Sequence, residues 1–243
     1  MSALVRSELL KLRTVPRTGL ALLLGLLAVI GLGTAGTVDS DVDSPFAEGI
    51  LRDVVSTASA PTVFFALVLG ILVVTWEYRH GTITHSFLVA PVRERVLAAK
   101  AFAALAVGAA IGAIAVAAAL AVAIPWLAAA DRSIELGDGG LWLDAVRVFA
   151  EGALWAAFGV GVGALVRNQA GAIAVALLWF LVAEPLVGAV FERVGDYVPG
   201  AATASLVGWD DAPLSPARGA VTTFAYAVVL GLAAVLSTRR DVT

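Results

Sequence analysis

The sequence predicts an all-α integral membrane fold: six transmembrane helices, an amphipathic interfacial helix at the N-terminus and a short cytoplasmic helix between the second and third spans. Three observations predict it: an apolar composition, six apolar stretches of spanning length, and basic residues gathered on one side. Of 243 residues, 60% are hydrophobic and 14% charged, against about 45–50% apolar and about 25% charged in a soluble domain. So few charges cannot cover so much apolar surface, and a mean hydropathy of +0.94 makes the bilayer the solvent.

A helix needs about 20 largely apolar residues to cross a core of about 30 Å. The stretches that qualify are Thr18–Val38, Ala60–Trp76, Ala101–Ala130, Ala145–Val166, Ala170–Val190 and Gly219–Leu236. The first outlasts the apolar core of a signal peptide, about 7–15 residues, and is read as retained. The third is long enough to tilt or to outrun the core, with Pro125 near its outer end. Pro185 should kink or end the fifth. No stretch has the composition of a soluble domain, so residues 1–243 are read as one transmembrane domain.

With the N-terminus inside, eleven of the sixteen basic residues fall on cytoplasmic segments: Arg6, Lys11, Arg13, Arg17, Arg79, Arg93, Arg95, Lys100, Arg167, Arg239 and Arg240. The outer segments keep Arg52, Arg132, Arg147, Arg193 and Arg218, and the first outer loop collects Asp39, Asp41, Asp43, Glu48 and Asp53. Basic residues retained in short loops set orientation, so both termini are expected in the cytoplasm, with 237–243 as a tail.

The chemistry available is limited. Cysteine is absent and His80 and His85 are the only histidines, which argues against a disulfide framework or a metal site. Neither Lys11 nor Lys100 follows a glycine-rich phosphate cradle, so ATP binding by this chain is not expected. No enzyme activity, cofactor or nucleic-acid partner is expected either. Gly108 with Gly112, and Gly159 with Gly163, have helix-packing spacing and are read as packing within the chain. Glu151 follows Arg147 by four residues and is read as its ion-pair partner at the outer interface. Glu184 lies deep in the fifth span beside Pro185. Either it faces a partner or a wet cavity, making it a substrate-path candidate, or an early helix end leaves it at the interface.

Two flanking segments are amphipathic or aromatic. In Ser2–Pro16, Leu4, Val5, Leu9, Leu12 and Val15 share one side of a helical wheel and Arg6 and Arg13 the other, which suits a helix lying among lipid headgroups over residues 1–17. Phe191–Arg218 carries Tyr197, Pro199, Trp209, Pro213 and Pro216 and reads as an outer loop or as short helices dipping into the leaflet.

The most informative segment is Glu77–Lys100, EYRHGTITHSFLVAPVRERVLAAK. Gly81 can end the second span in a left-handed conformation, Thr82 can cap a short helix Ile83–Ala90, and Pro91 stops it. Arg93, Glu94 and Arg95 follow, and Lys100 marks re-entry into the membrane. Glu77, Gly81-Thr82, Pro91, Arg93 and Lys100 together resemble the first cytoplasmic loop of the permease subunits of type 2 ATP-binding cassette exporters. One departure is Thr84 and His85, where that family often carries a second acid.

The resemblance implies a coupling helix in this loop and a homodimer in the bacterial cytoplasmic membrane. It also implies two copies of a separate ATPase that binds ATP and Mg. Its contacts would come from Glu77, Gly81, Thr82, Pro91, Arg93, Glu94, Arg95 and Lys100, with Arg6 and Arg13 on the N-terminal helix. The substrate implied is amphipathic or lipid-like. Two other functions fit the same spans: a non-transporting anchor or sensor recruiting a cytoplasmic partner, and a proton-coupled secondary transporter relying on Glu184.

Overall fold

A computed structural model describes residues 2–13, 16–41, 49–82, 93–209 and 211–240. Those residues are helical throughout, apart from short turns, and include six helices long and apolar enough to cross a membrane. In chain order the helices are α1 (Ser2–Arg13), α2 (Pro16–Asp41), α3 (Ile50–Thr57), α4 (Ser59–Arg79), α5 (Arg93–Ala129) and α6 (Gly139–Val166). Then come α7 (Gln169–Leu178), a π-helical turn Trp179–Ala183, α8 (Glu184–Val190), α9 (Glu192–Gly195), α10 (Pro199–Val207) and α11 (Pro216–Arg240). The composition and the six spans therefore make this a multi-pass membrane protein.

All six apolar stretches lie inside these helices but for Ala130, one residue past α5, and several boundaries move. The second span starts at Ile50, ten residues before the apolar run, because α3 is amphipathic. Ile50, Leu51, Val54 and Val55 are buried, while Arg52 and Asp53 stay on its exposed side. The third span, α5, has 37 residues, about 55 Å at 1.5 Å per residue, well beyond a core of about 30 Å. It starts at Arg93, so Glu77 and Lys100 both stand on helices rather than in a loop. Lys100, read as the point of re-entry, is two turns inside α5 and fully buried.

Helix α6 is the axis of the bundle, packed by α3, α4, α5, α10 and α11. Two thirds of the spanning windows of α4 and α6 are buried, against about a tenth to a fifth for α2, α7–α8 and α11. Those outer helices expose Leu20, Leu24, Leu181, Leu186, Phe224 and Leu232, the apolar surface that lipid would solvate. Both expected glycine pairs pack within the chain. A Cβ on Gly108 would collide with Gly152 O, and one on Gly112 would sit 2.7 Å from Val148 O, so α5 rests backbone to backbone on α6. Gly159 and Gly163 do the same for α6 against Leu67 and Ile71 of α4. Close approach of this kind supplies the dispersion contacts that hold helices together where water cannot.

Gly81 ends α4 as its residue type suggests. At φ +68 it is left-handed, its N–H bonds to Tyr78 O at 3.3 Å and that of Thr82 to Glu77 O at 3.0 Å, which is the Schellman closure. The stretch 83–92, expected to hold the coupling helix and Pro91, lies outside the described residues.

Pro185 does not end the fifth span, which continues to Val190. Proline lacks an N–H, and its ring crowds the carbonyl four residues back. The turn before it is widened, with Glu184 N–H bonding to Trp179 O five residues back, and the helix resumes. Beyond it, α10 folds back on the bundle. Buried Ala202, Leu206 and Val207 seat α10, which packs on α6 and α11. Trp155 Nε1 donates to Thr203 Oγ1 at 2.9 Å.

Gly108→Leu forces α5 off α6 and should cost about 1–3 kcal/mol or prevent folding. Gly231→Ala faces open space on α11 and should hold or raise stability, by up to about 1 kcal/mol. Thermal unfolding of the detergent-solubilised chain distinguishes the two.

Candidate functional site

Four charged side chains close a ring at the end of the bundle where α4 stops and α5 begins. Lys100 Nζ donates to Glu8 Oε2 and to Glu77 Oε1, each at 2.7 Å. Lys11 Nζ donates to Glu8 Oε1 and to the same Glu77 Oε1, again at 2.7 Å. Each carboxylate thus bridges both ammonium groups, and the two charges of each sign cancel. Lys100 is fully buried, Glu8 and Glu77 nearly so, and Lys11 half-exposed. Lys11 and Lys100 are the only lysines in the chain. A compact ammonium with three rotatable donors fits between two carboxylates where a planar guanidinium would impose its fork.

Local structure sets each corner. The Schellman turn fixes the last turn of α4, so that Glu77 faces inward while its own carbonyl accepts from Thr82. Glu8 and Lys11 stand three apart on α1, on one face, and α1 packs on α5. Burial would push the Lys11 ammonium down, but hydrogen bonds and charge from Glu77 and Glu8 outweigh it and hold its pKa above the usual lysine value.

Of the expected contact residues, the structure brings Glu77 and Lys100 together and leaves Gly81, Thr82, Arg6 and Arg95 on the surface. Glu94 is partly buried in the first turn of α5. Pro91 and the side chains of Arg13 and Arg93 lie outside the described residues. Sequence reading missed Glu8 and Lys11 as partners. A signal was present: Leu4, Glu8 and Leu12 share one helical face, and an acid inside an apolar stripe needs a partner. Among the described residues no cluster of histidine and carboxylate side chains is arranged to hold a metal ion.

The two other span acids differ from expectation. Arg147 does not pair with Glu151. It donates to Asp144 Oδ1 at 2.8 Å and to Val207 O at 3.2 Å, and Arg52 Nε meets Asp144 Oδ2 at 2.9 Å. Because α6 begins at Gly139, Glu151 lies twelve residues in, about 18 Å along the helix. It is fully buried and accepts from Ser59 Oγ at 2.8 Å. Glu184 is also buried. Its Oε1 accepts the Gly200 N–H in the first turn of α10, so the carboxylate satisfies a helix N-terminus that favours negative charge.

Removing one member of the ring strands its partners. Lys100→Met should cost about 3–5 kcal/mol, and Lys11→Met, half-exposed, about 1 kcal/mol or less. Adding Glu77→Gln to Lys100→Met should recover part of the loss, a coupling readable from thermal midpoints of the singles and the double. The raised Lys11 pKa also sets a pH direction. Its contribution is complete below the ordinary lysine value and lost as pH rises through the raised one. Protection of the α1 amides, measured relative to their intrinsic exchange rates, should therefore hold across neutral pH and fall only in strong alkali. Comparison with known proteins adds no family assignment to this geometry, because no family model, curated protein or solved structure matches the chain.

Proposed function

We propose that this chain is the membrane-spanning permease subunit of an ATP-driven exporter, handling an amphipathic or lipid-like substrate. A separate cytoplasmic ATPase docks on the segment joining α4 to α5. The observation that carries the reading is the 2.7 Å bond between Glu77 and Lys100. These residues bound the segment that resembles the coupling loop of type 2 exporter permeases. Both are locked to α1 as well, so a push on the segment would reach three helices at once.

In this reading two copies of the chain form the pathway in the bacterial cytoplasmic membrane, with both termini inside. Two ATPase copies bind ATP and Mg and do the hydrolysis. The permease contributes two conformations, and the ATPase shifts their balance by binding one better than the other. The apolar, sparsely charged spans suit an amphipathic cargo better than an ion path.

Co-purification of the chain from its native membrane, followed by reconstitution in vesicles with any ATPase that travels with it, tests the reading. Substrate should stimulate ATP turnover in the complex, and Gly81→Ala, Thr82→Ala or Pro91→Ala should uncouple turnover from export while the bundle still folds. A complex without substrate-dependent turnover would instead mark an anchor or sensor. Absence of any co-purifying ATPase, with export intact in all three variants, would reject the proposal.

A further inference from the structure

One acid in the bundle interior is left without a counter-charge. Glu151 has no exposed surface and stands on α6, the axis of the bundle. Its Oε1 accepts from Ser59 Oγ at 2.8 Å, and among the described residues Oε2 has no hydrogen-bond partner. Glu184 at least meets the Gly200 N–H at a helix N-terminus. Glu151 meets a neutral hydroxyl only. Ser59 is itself buried, at the first residue of α4, and the hydroxyl of Thr62 is spent on Ala58 O at 2.7 Å.

Among the described residues, the helices around it supply no cation. Arg147, one turn back on α6, donates to Asp144 and to Val207 O. On α3, Arg52 is bonded to Asp144, and Asp53 lies on the exposed side. The charges of α4, Glu77 and Arg79, come at its far end. Those of α5 stop at Lys100, about 12 Å along the helix before Gly108, where α5 touches α6. Lys100 is committed to Glu8 and Glu77. Helices α7 and α10 carry no charged residue. Before its basic last turn, α11 offers Arg218, exposed at its start, and Tyr226, neither bonded to Glu151.

A bare carboxylate in this setting costs more than its one hydrogen bond returns, and space limits what can neutralise it. A methyl group on the adjacent Gly152 would already meet Gly108 O and Thr62 Cγ2. A metal ion needs several oxygens about one point, whereas a proton needs only the carboxyl itself. We infer that Glu151 is a proton-binding site, occupied while α4 is packed on α6. The proton can lie in the 2.8 Å contact with Ser59 Oγ, where either oxygen can donate once the acid is neutral. Oε2 is then a carbonyl oxygen, which costs less to leave unpaired than a charge. An opening that lets water reach the start of α4 lets the carboxyl ionise, the proton passing to water and returning on closure. Packing of α4 on α6 is thereby linked to the uptake of one proton. The inference does not depend on the transport reading.

The test uses the full chain in a neutral detergent, with infrared spectroscopy and thermal unfolding as readouts. At neutral pH the wild type should show the carbonyl stretch of a neutral carboxyl. Glu151→Gln, whose amide oxygen can still accept from Ser59, should lose that component. The native chain then binds one proton more than the unfolded chain, so its stability falls as pH rises out of the ordinary carboxyl range. Glu151→Gln removes that linkage. Its thermal midpoint should gain on the wild type as pH rises, by up to about tenfold in the unfolding constant per pH unit. Should Glu151→Gln fail to fold, Ser59→Ala carries the test: loss of the hydrogen-bond partner moves the neutral-carboxyl band to higher wavenumber. No lost component, a midpoint gap that is flat with pH, or an unmoved band in Ser59→Ala would each overturn the inference.

Discussion

The ammonium of Lys100 has no exposed surface, and the loop-side end of the bundle depends on how it is satisfied. A charge of that size is tolerable away from water only when paired and hydrogen-bonded. Glu8 and Glu77 supply the acceptors, and Lys11 balances the second carboxylate. Because the corners come from α1, α4 and α5, three segments with no sequence proximity are held at one point. The last turn of α4 and the second turn of α5 are thereby held by an ion pair rather than by apolar contact alone. Apolar contact is non-directional. The ring sets a register.

The opposite end is fastened by similar means. Asp144 accepts from both Arg52 and Arg147, joining α3 to α6, and Arg147 reaches on to the last turn of α10. Two of the five arginines expected on the outer side are thus structural, sharing the Asp144 carboxylate, with Asp138 a further 3.9 Å from Arg52. Between the two polar ends, α6 meets α4 and α5 through glycine contacts that admit no added methyl group. Packing centres the bundle, and the charges at its ends fix how far each helix slides along α6.

Six spans were legible from hydropathy because each crosses the core with a nearly unbroken apolar run. Their ends were not, because helices continue into charged sequence once those charges find partners. Arg52 and Asp53 hid α3 from any apolar window, and the six residues of α6 before Ala145 moved Glu151 from the interface to the bundle interior. In the candidate site, Glu77 and Lys100 were legible as a spaced pattern. Glu8 was not, although its apolar neighbours advertised it. Long-range partners carry no local signature: nothing near Glu184 announces Gly200, sixteen residues on.

The π turn at Trp179–Ala183 has a consequence for side-chain direction. One additional residue within a turn rotates everything after it by about 100° relative to an unbroken α-helix. Below the turn, Leu177 and Leu178 look away from the bundle, while just above it Glu184 is turned onto α10. An uninterrupted helix would have swung that carboxylate toward the lipid tails. The span therefore reads as two facets with different addresses, and its length between Trp179 and Glu184 cannot change by a single residue without aiming an acid at hydrocarbon.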